Sequence, residues 1–500
     1  MGGNLTIAIA GLTTLDVKSV NQGLVNAVIQ SVYETLTDRG PDGKIIDTLI
    51  KERQISADGL VHTWKLREGV KFHDGADFNA AAVKWNLDQK YTDKYYSSVT
   101  NQIPLDKTEV VDPMTVKVTL KGPCPQLYSV LAVKSFAMYS PAFFEKVGKD
   151  AMKTQASGTG PFMVESYTPN ESLKLKKNPN YWQKGKPYVD TLTYKIVPDP
   201  NARATMLEAG EVDIADGLSF QDAERLKSNA NVQVITQPQS RQYYVSLTVT
   251  HPPLDNVNVR KAINLAVDRE AIVKNIFRGY ARVAQTFLAN DAVEPVVNTG
   301  PYPYNPAQAK ELLDKEGWKP GSDGIRVKDG KRLVLQLRTT KTDADRWAIT
   351  ELVQGSLKEI GIEVNVNVDD NAVFLAQVNK PIAEAPPYDM LVLTWGTFTG
   401  DAAYPIGSGY SCKAFPPVAY NYSHLCDKDL EKLIDDAALA PTMEKRNEIY
   451  TQVMKKMFDL YPVLNLVNST GVSVSRKYVR GIYIDPGLGQ WPAKWVWLDK

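Results

Sequence analysis

Along the chain, short runs of alternating apolar and polar residues give way, again and again, to segments whose apolar positions return every three or four residues. "LTIAIAG" reads as a strand, and after the loop "LTTLDVKSVNQG" the run "LVNAVIQSVYETL" reads as a helix. "LVHTWKL" alternates with period two. "FNAAAVKWNLDQKY" places Val83, Leu87 and Tyr91 four residues apart, with Asn79 as its N-cap, and predicts a helix. "DPMTVKVTLKG" returns as a strand, and "FMVESYTPNESLKLKKNPNYW" as a hairpin turned at "TPNES". "NARATMLEAGEVDIADGL" is a helix closed by Gly210 in a left-handed cap, then a short strand.

The second half repeats the alternation. "YYVSLTVT" predicts a strand from residue 243, "HPPLD" a turn, and "NVRKAINLAVDREAIVKNIF" one continuous helix; a domain boundary is placed at this junction. "LVLQLRTT", "ADRWAITELVQGSLKEIG" and "IEVNVNVD" form a strand–helix–strand unit, which implies a parallel pair. "YDMLVLTWG" is a further buried strand. "KDLEKLIDDAALAPTMEKRNEIYTQVMKKMFDL" gives two helices broken at Pro441, and "PVLNLVNSTGVSVS" returns as a strand toward the first block. The expected fold class is α/β in two lobes, with the cleft between lobes as the expected place for a small ligand.

Composition narrows the function classes. A chain of 500 residues exceeds one ordinary core, and 43% hydrophobic residues are enough to build two. With 58 basic and 57 acidic residues the net charge is +1, without the basic stripe of a nucleic-acid binder, so no nucleic-acid partner is expected. No apolar run reaches the roughly 18–20 residues a membrane helix needs. "MGGNLTIAIAG" reads as a secreted chain whose signal has been removed and a start Met added, although a cytoplasmic chain would also lack a signal. The four histidines, at 62, 73, 251 and 424, are scattered without CxxC or HxxxH spacing, so no metal or other cofactor is expected. The three cysteines leave two readings: three buried thiols, or a Cys412–Cys426 disulfide closing a Pro-, Tyr- and Asn-rich loop. The second is preferred and implies an oxidising compartment. The G-x-S-x-G, P-loop and Rossmann patterns are all absent, so a secreted hydrolase is kept only as the alternative from another class.

"LVHTWKLREGVKFHDGADFNAAAVKWNLD" closely resembles the signature of the extracellular solute-binding proteins of family 5, the receptors of ABC importers for peptides, nickel, opines and some oligosaccharides. Further family patterns follow in order. "LTTLDV" resembles T-L-D-P with Val17 in place of Pro, "GTGPF" resembles G-T-G-P-[YF], and "LKLKKNPNYW" resembles K-N-P-x-Y-W. "PPLDNVNVRKAINLAVDREAIV" and "LKEIGIEVNV" extend the likeness over the whole chain. Gly69 and Gly75 read as turn residues, and Phe72 and Trp85 as core.

The resemblance implies a type II periplasmic binding fold, cluster C-like, with an extra subdomain at about 40–155. Lobe I would span 1–245 and be completed by 468–500, lobe II would span 250–465, and hinge strands would lie near 243–250 and 463–471. It implies a monomer, not an enzyme, in the periplasm or lipid-anchored at the cell surface. The receptor would close on a solute and present it to a membrane ABC permease.

"MLVLTWGTFTGDAAYP" resembles the segment that dipeptide-binding members set against the ligand. Carried over, Asp401 accepts a ligand ammonium, because a buried cation needs a carboxylate; the alternative is that Asp401 caps a turn after Gly400. Asp401→Ala is then expected to weaken an amine-bearing ligand and leave the fold intact. Arg346 lies near the place of the family's carboxylate-binding arginine, where a guanidinium fork would grip two oxygens. Trp395, with Gly396 and Thr397 beside it, is expected to line the pocket. Thr13, Thr14, Tyr243, Tyr244 and Ser246 would add polar lining, and Tyr410 and Tyr420 the mouth. A short peptide or opine, a sugar or sugar phosphate, and last a nickel chelate all remain open as cargo.

Overall fold

The computed structural model describes residues 2–17, 23–40, 42–92, 100–289, 297–384, 388–397, 399–484 and 493–500, without the side chains of 23–27. Residues 18–22 of "LTTLDVKSVNQG" and residue 398 of "MLVLTWGTFTGDAAYP" lie outside the described residues. The chain divides into two compact units, Met1–Gln237 with Gly471–Lys500, and Pro238–Thr470. The division falls within two long strands, Val232–Leu247 and Val463–Arg476.

In the first unit, Asn4–Ile9 runs parallel to Thr191–Ile196 and to Ile214–Ala215. Thr191–Ile196 then pairs antiparallel with Ser172–Lys177, and that strand with Phe162–Thr168, the predicted hairpin. Alternation puts Leu5, Ile7, Leu173, Leu175, Leu192 and Tyr194 into one core. A separate antiparallel sheet, ordered Ile50–Ile55, Val61–Leu66, Thr115–Leu120, Leu105–Asp112, carries the helix Ala80–Thr92. In "VHTWKL" the residues His62, Trp64 and Leu66 turn inward, and Trp64 packs with Phe78, Val83 and Leu87. The Ala82 N–H donates to Asn79 Oδ1 (3.0 Å), the cap its sequence announced. Phe72 is buried, and Trp85 sets its ring edge-on to Tyr139 and Phe144.

The motifs of this unit converge on one buried knot. Glu34 accepts from Tyr181 Oη (2.7 Å), Trp182 Nε1 (2.9 Å) and Thr159 Oγ1 (3.0 Å). Burial pushes its carboxyl up, while Lys494 and the three donors pull it down. The carbonyl of Gly160 accepts from His73 Nε2 (2.9 Å) and Asn178 Nδ2 (3.0 Å), and its N–H donates to Val32 O (3.0 Å). Asp74 receives Ser140 Oγ (2.7 Å). Thus "FHDG", "GTGPF" and "KNPNYW" are three faces of a single packing device.

In the second unit, Val334–Thr340 runs parallel to Glu363–Asp369 and to Met390–Trp395, with the helix Ala344–Glu359 as the crossover. Val232–Leu247 adds antiparallel, with Gln242 opposite Trp395 and Ser246 opposite Leu391. Helices Lys428–Ala438 and Met443–Leu460 are separated around Pro441, and Thr442 caps the second. The single helix expected over "NVRKAINLAVDREAIVKNIF" is instead broken. Val257–Ala266 ends at an extended Val267, and Asp268 caps a new short turn, Arg269–Ala271. The break lets two buried arginines serve different carbonyls. Arg260 donates to Leu254 O, Leu460 O and Tyr461 O. Arg269 donates to the carbonyls of Asn264, Val267 and Asn465. Burial lowers the pKa of Arg269 to about 10, so it stays charged and is solvated by backbone dipoles.

Candidate ligand pocket

The pocket lies wholly within the second unit, and the strand Val232–Leu247 builds its floor. Side chains on a strand alternate between faces. Gln242, Tyr244 and Ser246 therefore face the pocket, together with Trp395 from the neighbouring strand. The helix Ala403–Tyr410 brings Pro405, Gly409 and Tyr410, and the loop beyond it brings Tyr420, Tyr422 and Ser423. Phe287 and Val463 complete a space of about 350 Å³, open solvent included. A smaller adjoining hollow shares Gln242, Phe287, Trp395 and Pro405, and adds Gly396 and Thr397.

The chemistry of this lining is aromatic and neutral. Trp395 stacks near-parallel on Tyr404 (5.8 Å, 20°) and meets Tyr420 edge-on (4.9 Å). Tyr410 sits edge-on to Phe287 at 6.0 Å. Burial drives the phenols of Tyr244, Tyr404, Tyr410 and Tyr422 well above their usual range, so each is a neutral hydroxyl. Trp395 Nε1 is buried without a hydrogen-bond partner. Gln242 is oriented by its donation to Thr286 O (2.7 Å), and Ser240 Oγ donates to Thr397 O (3.0 Å).

One cation stands close by. Arg346 is half-buried at the start of the helix Ala344–Glu359, and its buried Nε and Nη1 have no hydrogen-bond partner. Its nearest carboxylate oxygen, Asp343 Oδ2, is 3.9 Å from Nε. Burial lowers its pKa, Asp343 opposes that, and its charge is felt by Tyr244 and Tyr422 in the pocket wall.

The structure brings Tyr244, Ser246, Trp395, Gly396, Thr397, Tyr410 and Tyr420 together; Tyr243 and Asp401 of the same unit have other partners. Tyr243 points to the opposite face from Tyr244: it packs edge-on to Phe277, and its hydroxyl lies 3.3 Å from Asp345 Oδ2. Adjacent strand residues cannot share a face, so one of that pair had to be excluded. Thr13 and Thr14 belong to the first unit, where Thr14 Oγ1 accepts from the Asp16 N–H (3.0 Å). Asp401 is 2% exposed and clamped by Arg446, with Nη2 to Oδ1 at 2.6 Å and Nη1 to Oδ2; Oδ1 also accepts from the Ala403 N–H (2.7 Å). Its carboxylate is thus already paired with a cation, Arg446. Gln242, Tyr422 and Ser423 are pocket residues that sequence reasoning missed. Period-two alternation from Tyr244 would have reached Gln242.

Cys412 and Cys426 form a disulfide, with Cα atoms 4.8 Å apart, and Cys124 is a buried thiol outside that bridge whose Sγ donates to Gln102 O (3.5 Å). Glu431 anchors the loop, accepting from Ser411 Oγ (2.9 Å) and the Cys412 N–H (2.7 Å). Among the described residues, no cluster of three or more potential ligands suits a metal ion.

Residues 44–416 match the model of the bacterial extracellular solute-binding proteins, family 5. The glutathione-binding protein GsiB of Salmonella typhi is 34% identical over 481 residues, covering 96% of this chain and 91% of that protein. The structure of NikA from Brucella suis in complex with Fe(III)-EDTA superposes with a TM-score of 0.88 at 27% identity, covering 99% of this chain and all of the other. AgaA from A. tumefaciens R10, in complex with agropinic acid, gives a TM-score of 0.79 at 24% identity and 100% coverage of this chain, 99% of its own.

Proposed function

The chain belongs to family 5 of the bacterial extracellular solute-binding proteins, and from that premise we propose that it is the receptor of an ABC importer for a short peptide or a related amino-acid conjugate, such as an opine. It acts by binding alone, without catalysis, outside the cytoplasmic membrane, and hands its solute to a membrane permease. The observation that carries the cargo class is Arg346. Its guanidinium, paired with Asp343 only at 3.9 Å and holding two buried nitrogens without hydrogen bonds, acts electrostatically on Tyr244 and Tyr422 of the neutral aromatic wall, and a carboxylate fits its fork. The aromatic wall takes the apolar part of the conjugate. The relatives named for glutathione put a γ-linked tripeptide first among the solutes to try.

A second reading rests on the Trp395–Tyr404 stack with Tyr420 edge-on to it, a surface equally suited to a sugar face.

A thermal-shift panel separates them: glutathione, S-methylglutathione, dipeptides, an opine, sugars, sugar phosphates and nickel–histidine. A solute at about 100 times its dissociation constant adds ~2.7 kcal/mol and raises the melting point by a few degrees. Carboxylate-bearing conjugates are expected to stabilise the wild type and to bind Arg346→Gln at least about tenfold more weakly. Stabilisation by sugars alone, unchanged in Arg346→Gln, would replace the first reading with the second.

A further inference from the structure

We infer that the Cys412–Cys426 disulfide is a redox-sensitive clamp on the ligand pocket, so that a small-molecule thiol which reduces it loosens the aromatic wall and lowers solute affinity. The inference concerns the regulation of the pocket described above and rests on that pocket being the binding site.

Three observations meet here. The bridge closes a loop of sequence separation 14, and that loop supplies Tyr420, Tyr422 and Ser423 to the pocket. The loop joins directly to the helix Ala403–Tyr410, which supplies the facing residues Pro405, Gly409 and Tyr410, so both pocket-lining arms are tied at the same bond. The bridge itself is at the surface: Cys426 is exposed and Cys412 half-buried, while Asn421, Tyr422 and Ser423 on the pocket side are buried.

Hydrogen bonds within the loop and to its flanks also hold the wall, Ser423 Oγ donating to Asn421 Oδ1 at 2.9 Å and Tyr422 Oη to Asn379 Oδ1 at 2.7 Å. The Tyr420 N–H donates to Ser408 O and the Asn421 N–H to Ala414 O, each at 2.9 Å. Asn421 Nδ2 donates to Ser411 O and Leu425 O, each at 2.9 Å. Outside the loop, the Val249 N–H donates to Ser423 O at 2.9 Å. These bonds orient the wall once its ends are fixed. The covalent bond removes the open conformations against which they would otherwise compete.

The chemistry is ordinary exchange. A thiolate attacks Sγ of the exposed Cys426, the S–S bond breaks, and Cys412 leaves as a thiolate. A second thiol attacks the mixed disulfide, frees Cys426 and departs as the small-molecule disulfide. The protein gains two electrons and two protons, and two thiols are oxidised to one disulfide. Cys124 is buried in the other unit and takes no part. With the loop competent in about a tenth of molecules after reduction, apparent affinity falls about tenfold.

The test compares oxidised wild type, wild type held in a phosphine reductant, and the double variant Cys412→Ser/Cys426→Ser. Amide hydrogen exchange is followed without ligand, and affinity is measured for S-methylglutathione, which carries no thiol. The expected result is exchange at Tyr420 and Asn421 about tenfold faster or more in both bond-free forms, unchanged exchange in Met390–Trp395, and about tenfold weaker binding. Unchanged loop exchange overturns the clamp. Faster exchange spreading through Met390–Trp395 also overturns it, since the bond then holds the fold and not the wall. Loosened exchange with unchanged affinity overturns the gating. If S-methylglutathione fails to bind the oxidised protein, the cargo reading is what fails, and loop exchange alone decides the clamp.

Discussion

Asp401 and Arg446 set the tone at the scale of single residues. Both side chains are almost wholly buried and bonded through both guanidinium ends. Removing one partner of such a pair leaves an uncompensated charge, at a cost of ~3–5 kcal/mol. Arg446→Ala and Asp401→Ala are each expected to lower the unfolding free energy by about that amount in denaturant titrations, and Arg446→Met/Asp401→Leu together to recover most of it. A stable Asp401→Ala would instead return Asp401 to the ligand. The segment "WGTFTGDAAYP" carries Trp395, Gly396 and Thr397, which line the hollow beside the aromatic wall. It could not reveal Arg446, which lies 45 residues further on with no local pattern pointing back. Arg346 was legible as a charge near a helix start, but its unbonded nitrogens are a property of packing alone.

At the scale of elements, sequence period was a good guide to strands and a poor guide to where helices stop. "VHTWKL" inward positions and the parallel strands Val334–Thr340 and Glu363–Asp369 follow directly from alternation and crossover rules. The helix after residue 257 breaks at Val267 because Asp268 and Arg269 find better partners in a new turn and in distant carbonyls, which period cannot show. "GTGPF" needs its glycines for room: a Cβ on Gly160 would meet the backbone of Val32 at 2.5 Å. Gly160→Ala is therefore expected to destabilise by about 2–3 kcal/mol. A melting point within a degree of wild type would show that the turn beneath it can yield.

Over the whole molecule, pH dependence reports buried histidines. Burial lowers both His73 and His424 to about 4, from an ordinary 6.5. A depressed pKa contributes stability that is complete above 6.5 and is lost as pH falls through 4. Asp216 works the other way: burial raises it to about 6, and its contribution, complete below 3.8, is lost as pH rises through 6. His62 is lowered by burial as well, and Glu34 and Asp345 are raised by it, so the histidine contribution is read one residue at a time. Relative to wild type, the melting point of His424→Asn should fall less, or rise more, between pH 7 and 5, and an equal change would refute the assignment. The contact between Lys494 and Asp38, 3.1 Å apart in space and 456 residues apart in sequence, joins the two stretches of the first unit. Asp38 also holds Lys134, and the two lysines together outweigh burial to keep its carboxyl ionised. Pro238–Thr470 is one uninterrupted stretch, whereas the first unit is built from two, Met1–Gln237 and Gly471–Lys500. A chain cut short before Lys494 would leave Asp38 with Lys134 as its remaining lysine partner, so the last residues of the sequence complete a charge cluster begun near its start.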